Sequence, residues 1–353
     1  MLTFLIMAGG TGERFWPLST QEKPKQFLSI FSKKPLIVEA YERVLPLVAD
    51  KKQIFISTNE VQVKALKEVL PGLDESNIII EPVFKDTAAA IGYGSLIISK
   101  YYPNPTIVVL ASDHLITEPD HFRQTLLIAI KEAEKGRIVT LGITPTYPET
   151  GYGYIETPSS KLNIPVKSCG FHEKPNLQLA EQYFESGKYL WNSGIFLFSY
   201  DALMSAFEKY APEYISVFAP LDKAILKNNG LATTAIAKPF FFQFPAKSID
   251  FAIMEKSDNV FVVPSSFGWS DVGTFAAFDR LFPPDESGNV SKCSRAIFID
   301  SRKNIVIGEP QGLPVALLGI QDSVVVFTSK GILISKKDDL KDLKKAVELL
   351  RKS

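Results

Sequence analysis

Phe4-Leu5-Ile6-Met7-Ala8-Gly9-Gly10-Thr11-Gly12-Glu13-Arg14 is the stretch on which the fold turns. Five apolar residues run without polar alternation, then glycines stop them. A short unbroken apolar run suits a strand covered on both faces by other layers. A glycine-rich turn after such a strand lets backbone N–H groups approach a phosphate. Four similar runs follow: Ile54-Phe55-Ile56-Ser57, Ile78-Ile79-Ile80, Ile107-Val108-Val109-Leu110 and Ile138-Val139-Thr140-Leu141. Between them lie helical periods, such as Ile37, Tyr41, Val44, Leu45 and Val48 on one face, and Phe122, Leu126, Leu127, Ile130 and Ala133 on another. Strand–helix alternation over about 150 residues predicts an α/β fold, a mixed but mainly parallel sheet flanked by helices.

From about 150 to 280 the pattern loosens into Gly-, Pro- and aromatic-rich segments. Pro283-Pro284-Asp285-Glu286-Ser287-Gly288-Asn289 is a cluster of breakers and marks the expected boundary. Residues 1–283 are expected to form a catalytic domain. Residues 284–353 are expected to form a small β-rich domain, with strands over 296–299, 305–307, 315–318 and 324–327. A terminal helix from about Asp338, with Leu340, Leu343, Val347 and Leu350 on one side, closes it.

Composition narrows the function. The chain has 353 residues, 46% hydrophobic and 22% charged, with Lys+Arg and Asp+Glu both at 39. The zero balance argues against a coat for nucleic acid or an anionic membrane. Two cysteines, Cys169 and Cys293, are too few for a disulfide framework or a four-ligand zinc site, and both are expected to be buried thiols. Residues 2–8 lack the basic start and longer apolar core of a signal peptide. No stretch reaches the roughly 20 apolar residues needed to cross a bilayer. A cytoplasmic protein without membrane contact is expected.

The glycine-rich turn fits neither common nucleotide fingerprint. Phe15 stands where a dinucleotide motif wants its third glycine, and the Gly187-Lys188 pair lacks the upstream glycine of a P-loop. The segment after it is nevertheless basic: residues 14–34 carry Arg14, Lys23, Lys25, Lys33 and Lys34 against one acid, Glu22. Phe15, Trp16, Pro17, Pro24 and Phe27 interleave these cations, which suits packed side chains aimed at a polyphosphate. Polyphosphate chemistry calls for Mg²⁺ or another divalent cation and hence for oxygen ligands. Asp113, just past the strand over 107–111, and Asp271, in Gly268-Trp269-Ser270-Asp271-Val272-Gly273, are the candidates. Open α/β sheets place ligand-binding residues at such strand ends. Taken alone, Asp113 could equally be a helix N-cap or turn carboxylate, and Asp271 a solvent-exposed loop acid.

Gly9 to Ser19 followed by Pro24-Lys25-Gln26-Phe27-Leu28 resembles the signature of sugar-nucleotide pyrophosphorylases, closest to their mannose-1-phosphate guanylyltransferase branch. Further matching stations occur in order. They are Ser112-Asp113-His114, Gly151-Tyr152-Gly153-Tyr154-Ile155, Phe171-His172-Glu173-Lys174-Pro175 and Trp191-Asn192-Ser193-Gly194-Ile195-Phe196, then Ser248-Ile249-Asp250-Phe251-Ala252-Ile253-Met254-Glu255 and the segment around Asp271. One station departs: where the family usually carries Arg-Asn-Thr-Ala-Pro-Ala, this chain reads Lys85-Asp86-Thr87-Ala88-Ala89-Ala90.

The resemblance implies a Rossmann-like, GT-A-like nucleotide-diphospho-sugar transferase fold. It implies that GTP and mannose 1-phosphate give GDP-mannose and pyrophosphate, or that another pair such as UTP or dTTP with glucose 1-phosphate is used. A non-catalytic regulatory subunit on the same fold is the distant alternative. By position, Ala8, Gly9, Gly10, Thr11, Gly12, Glu81, Pro82, Thr87 and Ser112 would meet the nucleotide. Arg14 and Lys25 would neutralise its phosphates. Asp113 and Asp271 would hold Mg²⁺, and Gly153, Glu173, Lys174 and Asn192 would take the sugar phosphate. The family's β-rich extension often mediates self-association, which implies a homodimer. A phosphate monoester is mostly ionised at neutral pH, its second pKa being about 6, so the reaction needs no general base.

Overall fold

The computed structural model describes every residue except Thr11, Gly12, Asn229, Leu231, Pro310, Gln311, Lys352 and Ser353. The five apolar runs form β1 (Leu2–Met7), β2 (Ile54–Asn59), β3 (Ile78–Glu81), β4 (Thr106–Ala111) and, after the short β5 (Leu115–Ile116), β6 (Ile138–Ile143). Next come β7 (Tyr154–Glu156), β8 (Val166–Lys167), β9 (Gly170–His172), β10 (Tyr189–Ser199), β11 (Val260–Ser265) and β12 (Trp269–Ser270). The main sheet has ten strands, with the order β3-β2-β1-β4-β10-β6-β11-β8, β7 pairing with β10 and β9 with β7. β1, β2, β3 and β4 are parallel, as the unbroken apolar runs predict. Apolar layers cover both faces, one around Phe4, Ile6, Val108 and Leu126, the other around Leu5, Val109, Phe198 and Phe218.

The inserted strand β10 matters most for function. It runs antiparallel to both β4 and β6, pairing Phe196 with Val109 and Trp191 with Ile143. Its N-terminal half therefore lies at the carboxyl ends of the parallel strands. A register shift between Asn192 and Phe196, with Gly194 at φ +66°, bends the strand there. Such bulges re-aim side chains at the rim of a sheet.

The tail forms β13 (Val290–Lys292), β14 (Ala296–Ile299), β15 (Ile305–Gly308), β16 (Val315–Leu318), β17 (Ser323–Thr328) and β18 (Gly331–Lys336). β13, β15 and β17 stack in parallel, as do β14 and β16, so the chain coils upon itself. Asn289 and Asn304 stitch one corner of the coil. The Asn304 backbone N–H donates to Asn289 Oδ1 and the Ser323 N–H donates to Asn304 Oδ1. The closing helix is Leu343–Leu350, with a 3-10 turn over Lys337–Asp342 occupying its expected first turn.

The apolar core of this coil, with Val290, Ile305, Val324, Leu343 and Val347, is continuous with Phe15, Leu28 and Phe31 of the basic signature and with Leu115 and Val272. Trp16 reaches the hairpin between β17 and β18: a Cβ at Gly331 would stand 2.8 Å from Trp16 Cζ2. The expected burial of both thiols is corrected. Cys169, in the linker between two very short strands, is exposed, and Cys293 is half-buried.

Candidate active site

Parallel pairing of Met7 with Ala111 puts the residues after β1 and after β4 side by side. Buried side chains fix the turn after β1. Gln26 Nε2 and Thr58 Oγ1 donate to the Ala8 carbonyl at 3.0 and 3.3 Å, and Gln62 Nε2 donates to the Gly10 carbonyl at 2.9 Å. Gly9 lies against Glu81, whose Oε1 would be 3.4 Å from a Cβ there. Thr11 and Gly12, expected to line the nucleotide, lie outside the described residues.

Asp113 and Asp271 meet because β5 and β12 pair antiparallel, Ser270 opposite Leu115. One step beyond that register Asp271 stands by His114. Lys25 joins the two segments. Its Nζ lies 2.8 Å from Asp113 Oδ2 and donates to the carbonyls of Asp271 and Val272 at 2.6 and 3.1 Å. Asp271 Oδ1 accepts from the Tyr152 hydroxyl at 2.8 Å and from the Gly273 N–H at 2.9 Å. Burial opposes ionisation of Asp113. The positive field of Lys25 outweighs it, helped by His114, the Lys25 hydrogen bond and Arg14, and holds the carboxyl below its usual range. His114 Nδ1 accepts from Trp269 Nε1 at 3.2 Å, and burial holds its imidazole pKa down.

Arg14 is exposed on the 3-10 turn Glu13–Phe15. Lys25 is 4% exposed, and its three hydrogens face three protein oxygens. Two carboxylates at one edge form a hard-oxygen donor set, which suits Mg²⁺ completed by water and substrate phosphates. Among the described residues no cluster of three or more His, Cys, Asp or Glu side chains stands ready for a metal.

A second group gathers along β10. The pairing of Tyr154 with His172 brings Gly153 beside Glu173 one step beyond the ladder. A Cβ at Gly153 would sit 2.6 Å from Glu173 Oε2, 3.4 Å from Asn192 Cβ and 3.7 Å from Asn192 Nδ2. Gly153, Glu173 and Asn192 thus enclose one small hollow. Lys174, exposed and at φ +44°, pairs its Nζ with Glu173 Oε1 at 2.9 Å.

The weaker expectations scatter. Ser112 is buried, its N–H donating to the Met7 carbonyl, and Pro82 is half-buried behind Glu81. Thr87 Oγ1 accepts from the Ile249 N–H at 2.9 Å, so this hydroxyl ties the start of the helix Asp86–Tyr101 to the segment before Asp250. Asp86 explains its own departure. At φ +63°, it occupies the left-handed region that Asn and Asp both tolerate, and its Oδ1 accepts from the Thr87 N–H.

Asp250 is the functional candidate that residue-type reasoning missed. Its Oδ1 accepts from Asn192 Nδ2 at 2.7 Å. The motif around it is visible in the sequence, but nothing in the spacing says that it meets Asn192.

The nucleotidyl transferase family profile matches residues 3–287, and that of the MannoseP isomerase/GMP-like beta-helix domain matches residues 294–350. The chain belongs to the nucleotidyl transferase family. It is 35% identical, over its full length and 74% of the relative's, to a Klebsiella pneumoniae protein named mannose-1-phosphate guanylyltransferase. It is 36% identical, over 98% of its length and 73% of the relative's, to mannose-1-phosphate guanylyltransferase 2 of Escherichia coli O157:H7. A Thermus thermophilus crystal structure described as mannose-1-phosphate geranyltransferase superposes with a TM-score of 0.88 at 31% identity, covering 99% of each chain. The fold is that of a nucleotidyltransferase, a mixed sheet flanked by helices with a β-rich C-terminal region.

Proposed function

We propose that the protein transfers a guanylyl group from GTP to mannose 1-phosphate, giving GDP-mannose and pyrophosphate. An oxygen of the sugar phosphate forms a bond to the α-phosphorus as the bond from that phosphorus to the β-bridging oxygen breaks, and pyrophosphate leaves with that electron pair. The observation that carries the reading is the meeting of Asp113, Asp271 and Lys25 at the strand edge that also holds the Gly153–Glu173–Asn192 hollow. The names of the curated relatives favour the guanylyl and mannose pair over others.

The chain's own residues position and neutralise. The turn at Ala8, Gly9 and Gly10 offers backbone groups to the nucleotide. Glu81, Pro82, Thr87 and Ser112 border it. Exposed Arg14 meets the phosphates, and Lys25 keeps the two acids together beneath them. Lys174 takes the sugar phosphate, while Glu173 and Asn192 take hydroxyls over Gly153. Asp113 and Asp271 would hold Mg²⁺, which supplies Lewis-acid polarisation of phosphate oxygens when bound. Holding two anions in line is the main source of rate, so no buried base is needed.

Residues 1–283 serve as the catalytic part, and 284–353 as a tail that pairs two copies into a homodimer. Exposed Ile297, Ile299 and Leu318 on β14 and β16 support that pairing. Sedimentation is expected to give twice the chain mass at micromolar concentration, and a monomer there removes the dimer. A cytoplasmic setting goes with these substrates. Among the described residues no helix is long and apolar enough to cross a membrane.

The deciding experiment measures pyrophosphate release across four NTPs and several hexose 1-phosphates. GTP with mannose 1-phosphate is expected to turn over fastest. Turnover only with UTP or dTTP and glucose 1-phosphate would keep the reaction and discard this substrate pair.

A further inference from the structure

Asp250 opens a π-turn, Asp250–Met254, in which the Glu255 N–H donates back to the Asp250 carbonyl at 3.0 Å. Such i→i+5 turns are rare and are found disproportionately at functional sites. The segment is anchored from the far side: the Ile249 N–H donates to Thr87 Oγ1, and the Ala88 N–H donates to the Lys247 carbonyl. Both partners lie at the start of the helix Asp86–Tyr101. On its near side Asp250 reaches Asn192. The carboxylate is thus clamped between a rigid helix start and the bulged strand that carries the hollow.

The Asn192 amide has two orientations related by a half-turn, and its neighbours are chemically unlike. Its Nδ2 donates to Asp250 Oδ1 at 2.7 Å, while its Oδ1 accepts from the Gly194 N–H at 3.1 Å. An ionised carboxylate only accepts and a backbone N–H only donates, so one orientation satisfies both and the other neither. In that orientation Nδ2 keeps a second hydrogen. The Nδ2 atom lies 3.7 Å from the Cβ position that Gly153 leaves empty, with Glu173 Oε2 2.6 Å from the same point. A donor and an acceptor therefore flank one hollow, an arrangement suited to hydroxyl groups that both give and take hydrogen bonds. Burial, opposed by the Asn192 hydrogen bond and then reinforced by the charge of Glu173, pushes the Asp250 carboxyl up to about 6. At neutral pH it is still the acceptor that the arrangement needs.

We infer that Asp250 is the positioning residue for hexose recognition, fixing the Asn192 amide so that its free N–H faces the hydroxyls of the sugar. The inference rests on the hexose 1-phosphate reading given above. It assigns Asp250 no contact with the reacting phosphates.

The test uses the full chain and four proteins: unaltered, Asp250→Asn, Asn192→Ala and the double variant. Asparagine at 250 has nearly the same shape as aspartate but both donates and accepts, so residue 250 no longer selects one orientation of the Asn192 amide and only the Gly194 N–H still does. One neutral hydrogen bond from the Asn192 N–H to a sugar hydroxyl, lost at binding, predicts a rise of roughly threefold to tenfold in KM for mannose 1-phosphate, with KM for GTP within about twofold. In the Asn192→Ala background the same change should add less than about twofold, because the residue through which Asp250 acts is gone. Asp250→Ala serves as a second variant, and circular dichroism and melting report the fold of each. An equal rise in both KM values, an undiminished effect in the Asn192→Ala background, or no rise at all overturns the assignment. Absence of turnover by the unaltered protein with every hexose 1-phosphate would instead bring down the functional reading, and this inference with it.

Discussion

The Lys25 ammonium stands 2.8 Å from Asp113 Oδ2 and 2.6 Å from the carbonyl oxygen of Asp271, so one cation ties together the two segments that bear the candidate metal acids. Lys25→Met leaves Asp113 without its counter-charge and two carbonyls without a donor. Removing one partner of a buried pair costs about 3–5 kcal/mol, and Asp113 is 35% open to water, so a loss of roughly 2 kcal/mol is expected. Lys25→Arg should not restore activity, because a planar fork does not fit three oxygens around a point. Because the folded-state pKa of Asp113 is depressed, its contribution is present above the ordinary carboxylate range and is lost as pH falls through the lowered value. Chemical denaturation at pH 7 and at pH 3 checks this: the gap between unaltered protein and Lys25→Met should narrow at the lower pH.

Asp113→Asn and Asp271→Asn keep shape but discard charge. Each is expected to abolish turnover while melting stays within a few degrees of the unaltered protein. Nucleotide binding measured calorimetrically with and without Mg²⁺ reads the metal separately, since the Mg²⁺-dependent gain in affinity should vanish. Near-normal activity from either variant in saturating Mg²⁺ removes that acid from the metal site.

Gly153→Ala separates fold from function. The added methyl would meet Glu173 Oε2 at 2.6 Å, and that oxygen is the mobile end of a long side chain. Stability should change by less than about 1 kcal/mol because the carboxylate can swing away. The swing removes an acceptor from the hollow, so KM for mannose 1-phosphate should rise at least about tenfold. Unchanged KM would place the hexose elsewhere.

Glu81 is buried, and burial pushes its carboxyl up to about 7 against the lowering effect of the Ser57 hydrogen bond. Its folded-state pKa is raised, so the folded protein holds the proton longer than the unfolded chain. Stability therefore falls as pH rises from about 4.5 to about 7 and is flat beyond. Glu81→Gln removes that penalty, roughly 3 kcal/mol, while keeping an acceptor for Ser57. Its melting temperature should exceed that of the unaltered protein at pH 8 and match it at pH 4. A pH-independent difference would show that Glu81 holds its proton no more tightly in the folded protein than in the unfolded chain.

Strands β1, β2, β3, β4 and β6 are legible because residues buried on both faces leave unbroken apolar runs. The antiparallel placement of β10 is not, since Trp191-Asn192-Ser193-Gly194 breaks the period with a bulge that only pairing reveals. The turn at Gly9 and the acids at 113 and 271 are found from residue type and strand position. Their meeting depends on the β5–β12 ladder, whose strands are two residues each and too short to leave a pattern. Asp250 lies far along the chain from Asn192, and its significance is a hydrogen bond that no local spacing encodes. The exposure of Cys169 has the same origin, a chemistry-neutral position fixed by two tiny strands.

The continuity of apolar packing from Phe15 and Val272 into the coiled tail bears on how this protein can be taken apart. A boundary drawn near residue 284 separates two patterns of sequence, yet it cuts through a shared interior. Val272 adjoins Asp271, and Trp16 rests on the hairpin at Gly331. The tail is thus not a detachable module. Grafting one from a relative would demand that its hairpin be recut to fit the indole, and heating should melt both parts in a single transition.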